Sequence, residues 1–165
     1  MVLFRAGELT ITPIDSDNLP ALLEVYRHCE DFFALGPVPV ASVQMIEADI
    51  GYSRDHNGQY CAIRDAQDRI IGVLYFIAKS ERPHTSSLPL LMIAAPWRGK
   101  GYGRAVMHAL EAYLKENFGA VQMISWAQTN NREAIQFWRG VGYHLSPEPR
   151  SQPDGTATYQ MTKAL

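Results

Sequence analysis

The sequence predicts an α+β protein on a mixed, mostly antiparallel sheet, and three features of it carry that prediction. Two apolar runs, residues 59–64 and 70–78, are separated by the polar tetrapeptide Asp65-Ala66-Gln67-Asp68, the spacing of a β-hairpin. Further on, an apolar run at 88–94, a glycine-rich stretch, a helical pattern at 102–117 and a second apolar run at 121–126 succeed one another. A strand, helix, strand path of that length is a crossover, which makes its two strands parallel neighbours. The chain closes on an alternating run at 156–162 behind an Asp154-Gly155 turn.

Taken in order, residues 8–14 alternate Leu9, Ile11 and Pro13 with polar side chains and predict a half-buried first strand. Asp15, Ser16 and Asp17 offer N-caps, with Pro20 in the first turn, for a helix burying Leu19, Leu22, Leu23, Tyr26 and Cys29. The stretch 31–39 cannot be one helix, because Gly36, Pro37 and Pro39 interrupt it, yet its aromatic content suits a cover. A second helix over about 41–52 would bury Val43, Ile46 and Ile50, stopped by Asp55-His56-Asn57-Gly58. After the hairpin, the polar residues 79–87 delay the next strand to about Leu88, and Pro89 within it calls for a bulge or an edge.

The helix at 102–117 buries Val106, Leu110 and Leu114 at i, i+4, i+8, with Gly119 placed as its C-terminal cap. A short helix from Asn131 carries Ala134, Phe137, Trp138 and Val141 on one side and ends in glycines, before a strand at 143–145. The proline-rich residues 146–155 then turn the chain into its last strand.

The stretch Arg98-Gly99-Lys100-Gly101-Tyr102-Gly103-Arg104 lies between the strand at 88–94 and the long helix. Glycines at alternate positions let the backbone turn tightly and present successive N–H groups, with positive charge beside a helix N-terminus. That combination suits a phosphate or pyrophosphate. The bland alternative is a tight strand-to-helix turn carrying solvated cations. A P-loop is excluded because no Lys here is followed by Ser or Thr in that context, and the dinucleotide fingerprint fails at Val106.

What remains is [R/Q]-x-x-G-x-[G/A], and it is joined by Asn131-x-x-Ala134-x-x-Phe137-Trp138-x-x-x-Gly142-Tyr143 after the next strand. The pair resembles motifs A and B of the GNAT superfamily of N-acetyltransferases, over roughly the C-terminal half of the chain. The resemblance implies acetyl-CoA as cofactor, an amine acceptor, helices on both faces of the sheet and strands splayed at the cofactor site. It also implies roles by position. Backbone N–H groups from Arg98 through Gly99, Lys100, Gly101, Tyr102 and Gly103 to Arg104 would hold the CoA pyrophosphate. Leu91, Met92 and Ile93 would pair their backbone with the pantetheine arm, one N–H polarising the thioester carbonyl, and Asn131 would reach the arm from the other side.

Two departures bear on mechanism. Trp138 stands where the family often has a tyrosine that protonates the departing thiolate, so it reads as a cofactor wall or simply as core. Neither flanking strand carries Asp or Glu, which leaves Glu81 and His84, on the polar approach to the cofactor strand, as candidates for a base or as plain exposed loop residues. Glu30 and Asp31 beside Phe32 and Phe33 suggest an acidic rim and apolar cover for the acceptor, next to residues 81–84, with core closure as the alternative for the aromatics. A non-catalytic acyl-CoA sensor of the same fold is the second functional reading.

Length and composition set outer bounds. At 165 residues, one domain is expected. A formal charge of −2 speaks against a general nucleic-acid binder, and the longest apolar run is about half the roughly 18 residues a membrane helix needs. Cys29 and Cys61 form no metal or disulfide pattern; no metal site is expected, the cytoplasm is the default location, and a monomer or homodimer is anticipated.

Overall fold

The structure, a computed structural model, describes residues 1–14 and 16–165. Its elements in order are β1 (Phe4–Ala6), β2 (Leu9–Pro13), α1 (Leu19–Arg27), α2 (Glu30–Phe33), α3 (Val43–Asp55), β3 (Gln59–Arg64), β4 (Ile70–Ile77), β5 (Thr85–Ile93), α4 (Tyr102–Phe118), β6 (Gln122–Gln128), α5 (Arg132–Gly140), β7 (His144–Leu145), β8 (Arg150–Ser151) and β9 (Ala157–Ala164). Among the described residues the strands form one sheet in the order β1-β2-β3-β4-β5-β6-β9-β7, with β8 also on β9. The pair β5–β6 is parallel and the other pairs are antiparallel.

Strand alternation sends side chains to two cores, one on each face. Leu74, Phe76 and Leu88 meet Val106, Met107, Leu110 and Leu114 of α4 on one side, while Val73, Tyr75 and Met92 meet Leu22, Val25 and Tyr26 of α1 and Ile46 and Ile50 of α3 on the other. This division follows from period two in the strands and the apolar stripes of the helices.

Residues 31–39 form no continuous helix, as Gly36, Pro37 and Pro39 predict; α2 is a single turn at Glu30–Phe33. Two expectations change. Asp15 as an N-cap lies outside the described residues; Ser16 and Asp17 sit in a 3-10 turn, and the cap position of α1 falls to Asn18. β5 starts at Thr85, three positions early, because Thr85, Ser86 and Ser87 are buried polar residues within the ladder, and the Ser86 hydroxyl donates to the Ala78 carbonyl at 2.6 Å.

The feature that shapes the site is an interruption between β5 and β6. They pair only from Thr85↔Gln122 to Leu88↔Ser125. Opposite β4 the register shifts between Ile77↔Ser87 and Tyr75↔Leu90, a bulge at Leu88 and Pro89. Proline has no N–H, so it fits a position where the ladder is broken. Beyond it β5 stays with β4 and β6 stays with β9 as far as Gln128↔Thr158, leaving a gap between them.

Candidate active site

A cleft of about 690 Å3 occupies that gap and runs on to the N-terminus of α4. Its floor is the end of β5. The Ala94 N–H donates to the Ile71 carbonyl of the adjoining β4 edge at 2.9 Å, and strand alternation therefore aims the backbone of Leu90 and Met92 at β4 and that of Leu91 and Ile93 into the gap. The Ile93 carbonyl is already taken, by Arg98 Nε at 2.8 Å and by the Cys29 thiol at 3.6 Å. Left facing the cleft are the Leu91 N–H and C=O and the Ile93 N–H. Met92 lines the cleft, but its backbone belongs to the β4 ladder.

The glycine loop follows a 3-10 turn, Ala95–Trp97. Gly99 and Gly101 have φ of +75° and +79°, and a Cβ built on either meets nothing within 4 Å. They supply a left-handed turn beside open space. Gly103 differs: its backbone is ordinary, and an added Cβ would lie 3.1 Å from the Phe137 ring. Its smallness lets α5 approach α4. The Arg98 N–H donates to the Ala95 carbonyl at 3.2 Å, and the first helical bond of α4 joins the Ala105 N–H to the Gly101 carbonyl. Among the described residues, the N–H groups of 99–104 have no carbonyl partner, so the donor array starts one residue later than the sequence suggests.

The cationic side chains of this loop are tied to protein groups. Arg98 forks onto Asp31 at 2.5 and 3.2 Å and reaches the His28 carbonyl at 3.4 Å. That guanidinium holds the Asp31 carboxyl below the usual carboxylate range. Arg104 donates to the Gly140 carbonyl at 3.0 Å, Lys100 stacks its ammonium over Trp97 at 4.9 Å, and Tyr102 donates to Glu8 at 3.0 Å.

The opposite wall comes from α5. Asn131 caps it, its side-chain oxygen accepting from the Ala134 N–H at 3.0 Å, which leaves the amide NH2 as its remaining donor. Trp138, 6% exposed, faces the cleft with Phe137. The rings meet edge-to-face, Phe137 on Trp138 at 5.2 Å and Trp138 on Tyr143 at 4.9 Å.

The remaining residues singled out in the sequence are dispersed. Glu81 and His84 are exposed at the far end of β5, where the His84 carbonyl accepts from the Val121 N–H at 2.8 Å and opens the β5–β6 seam. Residues 85–93 separate them from the glycine loop, roughly 26 Å at about 3.3 Å per residue. Neither lines the cleft. Glu30 does not line the cleft; its carboxylate accepts from the Ala41 N–H at 3.0 Å and ties down the loop after α2. Phe33 stacks on Tyr26 at 5.7 Å in the core, whereas Asp31 and Phe32 do line the cleft.

Sequence reading missed Asn130, whereas Leu35 falls within the stretch 31–39 expected to form the cover. Both line the cleft, and the Asn130 amide donates to the Leu35 carbonyl at 3.1 Å. The one signal for Asn130 was its adjacency to Asn131. No group of three or more His, Cys, Asp or Glu residues suited to a metal occurs among the described residues, and no helix there is long and apolar enough to cross a membrane.

A sequence profile of the Acetyltransferase (GNAT) family matches residues 19–143. The chain belongs to that family. The same fold occurs in a solved acetyltransferase from Thermus thermophilus, at 18% identity and TM-score 0.78 over 100% of both chains. It occurs also in a spermidine N-acetyltransferase from Vibrio cholerae in complex with CoA and spermine, at 17% identity and TM-score 0.71 over 96% of each. A third structure, an acetyltransferase from Salmonella typhimurium that modifies the N-terminal serine of ribosomal protein L7/L12, aligns at 14% identity and TM-score 0.79, covering 96% of this chain and 95% of that one. Among curated proteins no match was found.

Proposed function

We propose that this single-domain enzyme transfers an acetyl group from acetyl-CoA to a primary amine by direct attack on the thioester, with the gap between β5 and β6 as the reaction site. The observation that carries the proposal is the set of unpartnered backbone donors: the N–H groups of 99–104 at one end of the cleft and those of Leu91 and Ile93 along its floor. A pyrophosphate followed by an amide-bearing arm matches that order of donors. Acetyl-CoA supplies the activated acyl group.

The chain's own residues bind, orient and polarise. The Leu91 C=O and N–H and the Ile93 N–H offer strand-like pairing, and one of these two N–H groups would polarise the thioester carbonyl. The Asn131 amide contributes a donor from the opposite wall, and Phe137 and Trp138 exclude water there. Trp138 is no proton donor, because an indole N–H is far too weak an acid. Tyr143 is withdrawn as well, since burial and Glu111 push its hydroxyl well above the usual phenol range. Positioning and carbonyl polarisation thus supply most of the acceleration, with protons passing to water at the open mouth.

The acceptor enters past Asp31, Phe32 and Leu35. The charge of Asp31 is offset by Arg98, and Glu30, off the cleft lining, turns one oxygen to the Ala41 N–H, so the cleft edge itself carries less free acidic charge than its sequence suggests. We place the enzyme in the cytoplasm, where acetyl-CoA is available, as a monomer or homodimer that does not engage nucleic acid. Thiol release from acetyl-CoA is to be followed over a panel of peptides with free N-termini, polyamines and aminoglycosides. Turnover on one acceptor class is expected; CoA binding without turnover on any would make the protein a sensor.

A further inference from the structure

We propose that Tyr143, Glu111 and Lys163 are positioning residues that set the width of the acyl-donor cleft by holding Trp138, an inference that rests on the cleft being the acetyl-CoA site. Glu111 lies midway along α4 and is 8% exposed. Its two oxygens accept from the Tyr143 hydroxyl at 2.9 Å and from the Lys163 ammonium at 2.7 Å. Three elements meet there: α4, the turn that follows α5, and β9. An ion pair this deep is poor evidence of stabilisation, because well-packed apolar residues hold a core as well or better. What apolar residues cannot do is fix one ring in one orientation by a hydrogen bond.

The ring so fixed is Tyr143, and its edge-to-face neighbour is Trp138 at 72°. Trp138 in turn meets Phe137 at 69°, and Phe137 lies under Gly103 in the first turn of α4. The chain of contacts therefore leaves α4 at Glu111, runs through Tyr143, Trp138 and Phe137, and returns to α4 at Gly103. A helix is stiff over that length, so α5 is clamped at two points with the cleft-facing indole between them. Loss of the Tyr143 hydroxyl bond would leave α5 held by the Phe137–Gly103 contact and by the Arg104 bond to the Gly140 carbonyl, but would release the Tyr143 ring that backs Trp138, loosening the indole and changing its separation from the donors of 99–104. Lys163 holds the second oxygen of Glu111 and so aims the carboxylate, lying against the Gly142 turn.

The test compares Tyr143→Phe, Glu111→Leu and Glu111→Gln, the last of which keeps an oxygen for the tyrosine hydroxyl. Tyr143→Phe and Glu111→Leu should raise the CoA Kd and the acetyl-CoA KM roughly five-fold, with kcat and the acceptor KM within about two-fold of the parent. Glu111→Gln should lie between these variants and the parent, because its oxygen still takes the tyrosine hydroxyl while its NH2 faces the Lys163 ammonium in place of a carboxylate oxygen. In the apo proteins, the near-UV circular dichroism band that Trp138→Phe removes should weaken in the first two variants and persist in Glu111→Gln. Parent-like CoA affinity in folded Tyr143→Phe and Glu111→Leu would overturn the proposal, as would damage in Glu111→Gln equal to that in Glu111→Leu. Should the parent bind no CoA, the cleft assignment is what fails, and an unchanged Trp138 band in Tyr143→Phe and Glu111→Leu still refutes the clamp.

Discussion

Arg98 shows how one residue's role depends on partners that its sequence neighbours do not reveal. Its motif position suggests a charge for phosphate, but its guanidinium gathers the end of β5, the C-terminus of α1 and Asp31 of α2 into one knot. Asp31 is held below its ordinary pKa in the folded chain, so the stability that it contributes is present above the unfolded carboxyl's pKa and is lost as pH falls through the lower folded value. The difference in thermal midpoint between the parent and Asp31→Asn should be constant above about pH 5 and shrink below about pH 4, as thermal scans across that range would show. For Trp138→Phe, kcat should stay within about two-fold of the parent, with any loss confined to the acetyl-CoA KM; a collapse in kcat would make the indole more than a wall. Gly101→Ala places a Cβ at φ +79°, which costs about 1–2 kcal/mol and also intrudes on the open space before the donors, so calorimetry should find both lower stability and weaker CoA binding.

At the scale of elements, legibility followed burial pattern. β3 and β4 were readable because two continuous apolar runs of strand length flank a polar hairpin loop, whereas the start of β5 was hidden by Thr85, Ser86 and Ser87, whose polar side chains are satisfied inside the sheet, Ser86 by the Ala78 carbonyl and Thr85 by that of Pro83. β1 escaped notice although its pairing is local, Ala6 opposite Leu9 across the two-residue Gly7-Glu8 turn, because its three residues are too short to show a period. The glycine loop and the Asn131 helix were legible as a pair because each encodes local geometry. The acceptor side was not, since the use of Glu30 on a loop N–H and the reach of Asn130 to Leu35 depend on distant segments meeting. Asn131 carries two duties, capping α5 and offering its NH2 to the cleft. Asn131→Ala should therefore cost about 1 kcal/mol in denaturant titration and raise the acetyl-CoA KM, while Asn131→Asp, which keeps the cap and loses the donor, should show the second effect alone.

Considered as a whole molecule, the sheet is two leaves, β1 to β5 and β6 with β7, β8 and β9, joined by the four residue pairs between Thr85–Leu88 and Gln122–Ser125. α4 and α5 straddle them. Because acetyl-CoA would contact both leaves, it should stabilise the folded state by about 2.7 kcal/mol at a free concentration of 100 times Kd, a rise of several degrees in thermal midpoint. An acceptor alone at the same free concentration should give a shift set by its own Kd, smaller to the extent that it binds more weakly without the glycine loop.

The short seam also predicts a pattern in time. Amides locked in the seam exchange with deuterium slowly whether or not anything is bound, but the Leu91 and Ile93 amides look into water across an unfinished ladder and should exchange almost as if unfolded. A bound pantetheine would act as a removable strand that protects those two amides, leaving their neighbours Leu90 and Met92 unchanged. Every turnover would then unzip and re-zip a short length of sheet.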